Sequence, residues 1–226
     1  MHIEPEVVTG AKLFLSYATA AGALGLTAKL AFDSIRSNGG VAALALRSLL
    51  TTALVFCFFE VFPHQAVGVS EVHLILGSTL LLLFGAGATA VGLSLGLLLQ
   101  GLLFAQFDLP QYGMNVTTLL LPLFGIHLLA KRIIAPGTAY VDLSYKQALA
   151  LSTAYQGGIV AWVAFWAVYG NGFSGENLVA VGSFGLAYMS VILIEPLVDL
   201  GVLAAAKAFS GYSRAPLFNT RLHQPA

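Results

Sequence analysis

The first two residues of this chain, Met1 and His2, bring together three nitrogen atoms that can bind one metal ion. These atoms are the α-amine, the peptide nitrogen of His2 and its imidazole, and they close two adjacent chelate rings. A planar, nitrogen-rich donor set suits Ni(II), Cu(II) or Co(II) better than Mg or Ca. Terminal residues are also often frayed, so the pair gains importance only if the fold supplies a further donor.

His73 is the candidate for that further donor. It lies where a loop leads into an apolar stretch, in the segment Gly68-Val-Ser-Glu-Val-His73-Leu-Ile-Leu-Gly77. One ring nitrogen of such a histidine can bind a metal while the other meets an acceptor. With the terminal nitrogens, His73 would complete a square-planar site of four donors. The alternative is an interfacial histidine that bonds to a carbonyl group.

The composition identifies the class of protein. Hydrophobic residues make up 58% of the chain and charged residues 9%, and the mean hydropathy is +0.87. Such a chain cannot cover a soluble surface with polar groups, so we predict an all-α integral membrane protein with a single metal-binding domain over residues 1–226. The net charge of zero argues against nucleic acid as a partner, and the single cysteine excludes an internal disulfide.

The residues near the start do not resemble a secretory leader. Such a leader begins with a basic region, whereas Glu4 and Glu6 precede the first apolar stretch here. Methionine before a residue as bulky as His2 is also expected to escape trimming. We therefore expect Met1 to keep its free amine next to His2.

Seven apolar stretches follow one another along the chain. A helix needs about 20 apolar residues to cross a bilayer, so the third and fourth stretches are short. They meet at the small-residue turn Phe84-Gly-Ala-Gly-Ala88, which predicts a compact helical hairpin in a bundle of six to seven transmembrane helices. The stretches are Val7–Phe32, Val41–Phe62, His73–Phe84, Thr89–Phe104, Thr117–Ile134, Tyr145–Tyr169 and Leu178–Phe209.

The basic residues predict the orientation. With seven spans and the N-terminus outside, nine of the ten lie on the cytoplasmic side together with the C-terminus, and only Lys12 lies opposite. The same topology directs six acids toward the outer face, where they either concentrate cations or are ordinary solvated loop acids. These acids are Glu4, Glu6, Glu60, Glu71, Asp108 and Glu176.

Three segments resemble a known family. They are Met1-His2-Ile3, then Ser70-Glu-Val-His73-Leu-Ile-Leu-Gly77 leading to Leu82-Leu-Phe84-Gly85, and finally Leu99-Gln100-Gly-Leu-Leu-Phe104 followed by Gly113-Met-Asn115. They look like the CbiM/NikM substrate-specific membrane components of energy-coupling factor transporters for cobalt and nickel. The motifs cover roughly the first half of the chain, and the remainder is similar only in hydropathy.

The resemblance implies a role for particular residues. Met1, His2 and His73 would bind the metal, and Asn115 and Glu71 would support these ligands. The transported substrate would be Ni(II) or Co(II), captured on the outer face of a bacterial or archaeal cell (inner) membrane.

The resemblance also implies partners. The chain has no GxxxxGK[ST] phosphate loop, so it is not expected to be an enzyme, and ATP hydrolysis would belong to two ABC ATPase subunits. A transmembrane coupling protein and a small accessory membrane subunit would complete the importer. Family members dock through small residues of the first helix, here Ala18, Ala21, Gly22 and Gly25, at a spacing that also allows packing within one protein.

Glu195 supports other interpretations. It lies with Asp199 inside the seventh apolar stretch, where an ionisable group marks a functional site by default. One alternative is a proton-coupled secondary metal-cation transporter that uses Glu195, although no inverted repeat is evident. A second is a structural pair between Glu195 and a basic residue such as Lys29, and a third is a scaffold subunit without metal. His64 and His127 are interpreted as structural residues.

Overall fold

The computed structural model describes residues 3, 7–209 and 217–224, and these residues form a helical bundle with one short β-hairpin. The hairpin pairs β1 (Gln65–Val67) with β2 (Ser70–Val72) in antiparallel register. The all-α prediction is confirmed. The helices are α1 (Leu13–Ser37), α2 (Gly40–Glu60), α3 (Gly77–Phe84), α4 (Ala86–Leu103), α5 (Tyr112–Ile133), α6 (Tyr145–Asn171), α7 (Gly175–Met189) and α8 (Glu195–Ala208).

Six helical segments within the described residues are long and apolar enough to cross a membrane. Five of them contain α1, α2, α4, α5 and α6, and the sixth, Gly175–Ala208, joins α7 to α8 through a 3-10 turn. The protein is therefore a multi-pass membrane protein. Large apolar side chains such as Phe14 and Leu186 point away from the bundle, as expected of residues that face lipid.

The third apolar stretch forms only part of a span. Residues 73–76 are not helical, and α3 has eight residues, a length of about 12 Å against a hydrocarbon core of about 30 Å. Gly85, with a φ of +84°, joins α3 to α4, which confirms the predicted junction. Non-helical backbone is stable at this depth because the surrounding helices bury it.

Helix α4 packs closely against α2 because its glycines leave room. A Cβ atom on Gly92 would lie 2.1 Å from the Thr51 hydroxyl oxygen, and one on Gly96 would lie 2.6 Å from Val55. Thr51 also donates a hydrogen bond to the carbonyl oxygen of Ala88, at 2.9 Å. Small residues and interhelical hydroxyl bonds are the usual means by which helices associate in a membrane.

The connections collect at two ends of the bundle. At one end Asn38 donates to the side chain of Asn219, and Arg221 donates to carbonyl oxygens that follow α5. At the other end Lys12 donates to the carbonyl oxygens of Tyr169 and Gly170. The fold thus separates Lys12 from Arg221, as the charge pattern predicts, and the side of the membrane that each end faces stays a prediction.

Candidate metal centre

The chain enters the bundle at Ile3. Its side chain is fully buried, its amide donates to the Asn115 side-chain oxygen at 2.9 Å, and it forms an isolated β-bridge with Ser70. Met1 and His2 lie outside the described residues. The residue that follows the predicted ligand pair is nevertheless fixed beside the β-hairpin that leads to His73.

His73 follows β2 and is 1% exposed. Its Nε2 atom lies 3.0 Å from a carboxylate oxygen of Glu71. Alternate residues of an extended segment share one face, which explains why these two side chains meet. When Nε2–H donates to the carboxylate, the lone pair of the neutral ring is on Nδ1, the arrangement typical of a metal-binding histidine.

Asn115 occupies the first turn of α5 and is buried. The start of α5 lies close to α1 because Gly113 has no side chain: a Cβ atom there would be 2.8 Å from the carbonyl oxygen of Ser16. This close approach positions Asn115 to accept from Ile3. The predicted supporting residues Glu71 and Asn115 therefore contact His73 and Ile3 respectively, and their influence on a bound metal stays a prediction.

His64 lies beside His73, although sequence analysis placed it outside the site. The two rings stack at 5.0 Å between centroids, with 17° between their planes. The register pairs Gln65 with Val72, so the next pair outward is His64 and His73. Folding the sequence symmetrically about the Gly68–Val69 bond would have found this pair, since the turn places Gly68 at a φ of +62°.

Further polar side chains surround Asn115. Asp108 and Gln111, from the 3-10 turn Gln106–Gln111, are buried, and Gln100 of α4 joins them. Gln100, Asp108 and Asn115 line one small cleft. The interpretation of Asp108 as a solvated loop acid is therefore wrong, because the 3-10 turn folds it into the bundle.

At this site the described residues supply the neighbouring imidazoles of His73 and His64, with the Glu71 carboxylate behind the His73 ring. They contain no group of three or more His, Cys, Asp or Glu side chains placed to hold a metal ion. His127 lines a separate cavity with Lys131 and Asn219 at the other end of the bundle. The terminal nitrogens of Met1 and His2 stay the predicted further donors.

The proposed pairing of Glu195 with Lys29 is wrong. Lys29 bonds instead to Asp33, one turn along α1, at 2.7 Å on an exposed face. Glu195 is fully buried and accepts hydrogen bonds from Ser152 and Gln156. The helical spacing of Lys29 and Asp33 favours their local pair, while the packing of α6 against α8 surrounds Glu195 with polar donors.

The small residues of α1 face away from the bundle. Ala18, Ala21, Gly22 and Gly25 are exposed, and a Cβ atom on either glycine would meet no atom within 4 Å. The buried face of α1 consists of other residues, namely Ser16, Ala20, Ala23 and Thr27. Internal packing does not account for the small-residue pattern, which leaves this face available to another helix.

A family model described as the cobalt uptake substrate-specific transmembrane region matches residues 2–211. The chain belongs to the CbiM family. Comparison with curated proteins and with solved structures finds no match. As a CbiM-family member, the chain is a substrate-specific transmembrane component of cobalt uptake, which is a transport role and not a catalytic one.

Proposed function

We propose that this CbiM-family protein is the substrate-binding component of an energy-coupling factor importer, a type of ABC importer. It captures Co(II) or Ni(II) on the outer face of a bacterial or archaeal cell membrane and passes the ion to a separate ATP-driven module. The anchoring of Ile3 carries the proposal. Its bonds to Asn115 and Ser70 support placing Met1 and His2 within reach of His73.

The proposed coordination uses nitrogen atoms only. The α-amine, the deprotonated amide and the imidazole of His2 would join Nδ1 of His73, with Glu71 holding the His73 ring by its other nitrogen. Since all four donors must be unprotonated, metal affinity should fall as pH falls. A deprotonated amide and the Irving–Williams order both favour Ni(II) over Co(II), so we expect Ni(II) to bind more tightly.

The importer requires partners that this chain lacks. We propose a transmembrane coupling protein, two ABC ATPase subunits and a small accessory membrane subunit. The exposed face of Ala18, Ala21, Gly22 and Gly25 supports docking on the coupling protein, because helices approach closely where side chains are small.

Metal analysis of the purified, untagged protein tests the proposal. We expect one Ni(II) or Co(II) per chain, and we expect a Gly-Ser-Gly-Ser-Gly extension before Met1 to abolish binding, because it moves the α-amine out of chelating distance of the His2 ring. The same five residues inserted instead in the exposed loop after Gly137, which has a φ of +84°, are the matched control and should leave the metal bound. Metal binding that survives the five-residue extension before Met1, with the fold intact, would contradict the proposed coordination.

A further inference from the structure

Two acidic side chains are buried together in the core of the bundle. Glu195 and Asp199 lie one turn apart on α8, and neither is exposed to solvent. One oxygen of Glu195 accepts from Ser152 at 2.6 Å and from the Gln156 amide at 2.5 Å. Within the described part of the chain, no basic side chain forms an ion pair with either acid.

Ser78, in the first turn of α3, lies between the two acids. Its hydroxyl oxygen is 2.8 Å from one oxygen of Asp199 and 3.2 Å from Oε1 of Glu195. A serine hydroxyl has a single hydrogen, which can be donated to one of these acceptors at a time. The shorter distance assigns that hydrogen to Asp199, so the contact with Glu195 lacks a hydrogen unless Glu195 itself carries one.

A proton on Oε1 of Glu195 completes the hydrogen bonds. The protonated acid donates to Ser78, Ser78 donates to Asp199, and the hydroxyl of Thr79 donates to the other oxygen of Asp199. Each contact then contains one hydrogen. The arrangement is a relay in which two carboxyl groups share one proton through a hydroxyl group.

Electrostatics favours the same state. Two carboxylates that share a buried site do not both ionise, because each charge loses its hydration and repels the other. A single negative charge on Asp199 is tolerated, since Ser78 and Thr79 belong to the first turn of α3, the end of a helix that attracts anions.

Buried polar atoms without a hydrogen-bond partner also lie near Glu195. Gln156 bonds to Glu195 through its amide nitrogen, and its Oε1 atom has no partner. The hydroxyl groups of Tyr155 and Tyr188 are also buried without a partner. These atoms can accept or pass on a hydrogen, so polar groups for proton exchange extend beyond the two acids.

Four elements that pack against α8 carry the other ionisable groups in its neighbourhood. These elements are α3, α6, and the turns at 140–142 and 190–193. Besides the phenols of Tyr155 and of Tyr188 on α7, the ionisable groups on these elements are Tyr140, Asp142, Tyr145, Lys146 and Tyr169. Tyr145, Lys146 and Tyr169 are exposed, and Asp142 forms an exposed ion pair with Lys207. Among the described residues, the bonds that surround Glu195 and Asp199 come from hydroxyl and amide groups.

We propose that Glu195, Ser78 and Asp199 form a proton-binding site that holds one exchangeable proton in the bundle core. The site contains oxygen ligands only and is distinct from the nitrogen donors near His73. It also holds the first turn of α3, the helix that begins directly after the segment 73–76. Loss of the proton would place a second negative charge in the core and weaken this attachment of α3.

Infrared difference spectroscopy of the full-length protein in detergent, without metal, tests the site. The carbonyl stretch of one protonated carboxylic acid should persist at neutral pH and disappear in Glu195→Gln, an isosteric change. Glu176→Gln, at an exposed acid, is the matched control and should keep the band. Because no metal is present, the result is independent of the importer proposal.

Several outcomes would overturn the proposal. A wild-type protein without the band at neutral pH, or a folded Glu195→Gln variant that keeps it, contradicts a protonated Glu195. Replacing choline by sodium should leave the band unchanged, and its saturable loss would show that Na⁺ supplies the positive charge. If Glu195→Gln does not fold, Ser78→Ala gives the test: the band should move to higher frequency because the acid loses its acceptor, and an unchanged band contradicts the relay.

Discussion

The bundle contains two polar regions of opposite character. The first, around His73, presents nitrogen donors and is built largely from extended chain, and its supporting residue Glu71 has a side chain 25% exposed. The second, around Glu195 and Asp199, is built from helices, and both acids are fully buried. The first region therefore reaches the surface at Glu71, whereas the second is enclosed and suited to a ligand as small as a proton.

Helix α3 connects the two regions. His73 lies four residues before Gly77, where α3 begins, and the next residue, Ser78, contacts both acids. Leu76, between them, has a φ of +51°, a left-handed conformation that is costly for a leucine. Tertiary contacts on both sides must hold this segment, so changes in one region should be measurable in the other only when they move α3.

The largest expected effect comes from His73→Ala. The substitution removes one of four proposed donors, and since loss of a supporting group alone costs about 10–100-fold in metal affinity, we expect a loss of at least about 100-fold. Calorimetric titration with Ni(II) measures it. His127→Ala, which replaces a histidine at the other end of the bundle, is the matched control. Equal affinity losses in both variants would show that His73 is not a ligand.

Gly77→Ala should disturb both regions, because a Cβ atom there would lie 2.2 Å from the ring of Tyr155. Overpacking of this kind costs about 1–3 kcal/mol in the free energy of unfolding. Denaturant titration in mixed micelles measures the loss. Gly157→Ala has open space around its Cβ position and should be neutral or slightly stabilising; a neutral Gly77→Ala would show that α3 does not need this contact.

Asn115→Ala should affect the metal region and leave the acids unchanged. It removes the acceptor of the buried Ile3 amide, so the terminus is held less firmly, and we expect about a 10-fold loss of Ni(II) affinity. Thr118→Val is the control, since the Thr118 hydroxyl bonds only to the carbonyl oxygen of Met114 in its own helix. Full affinity in Asn115→Ala would mean that the Ile3 anchor does not position the ligands.

Ser152→Ala should give the smallest effect and confine it to the core. Glu195 loses one hydrogen-bond donor, which costs about 1 kcal/mol in the free energy of unfolding. Ser190→Ala removes an exposed hydroxyl that bonds only within its own turn, so its unfolding curve should match that of the wild type. A change in Ni(II) affinity in Ser152→Ala without loss of stability would contradict the separation of the two regions.

Much of the architecture was predictable because hydrophobic patterning along the chain is local information. The apolar stretches predict the spans, and the small-residue turn predicts the junction at Gly85. The spacing of Glu71 and His73 places both side chains on one face of an extended segment, so their contact was accessible to sequence reasoning.

Contacts between segments that are distant in sequence were decided by the tertiary structure. The spacing of residues along a helix does not determine which helix will lie opposite. The sequence therefore suggests Lys29 as a partner for Glu195, whereas its partners in the structure are Ser78, Ser152 and Gln156. The stacking of His64 on His73 likewise depends on hairpin register.

The sequence by itself therefore determined the class of protein and the number of spans to within one, and it predicts nitrogen donors for the metal. Only the tertiary structure decided that Ile3 is buried against Asn115, that the small residues of α1 face outward, and that two acids meet one serine. The physical reason is that burial and hydrogen bonding depend on the packing of whole helices, whereas hydropathy and residue chemistry are already present in the unfolded chain.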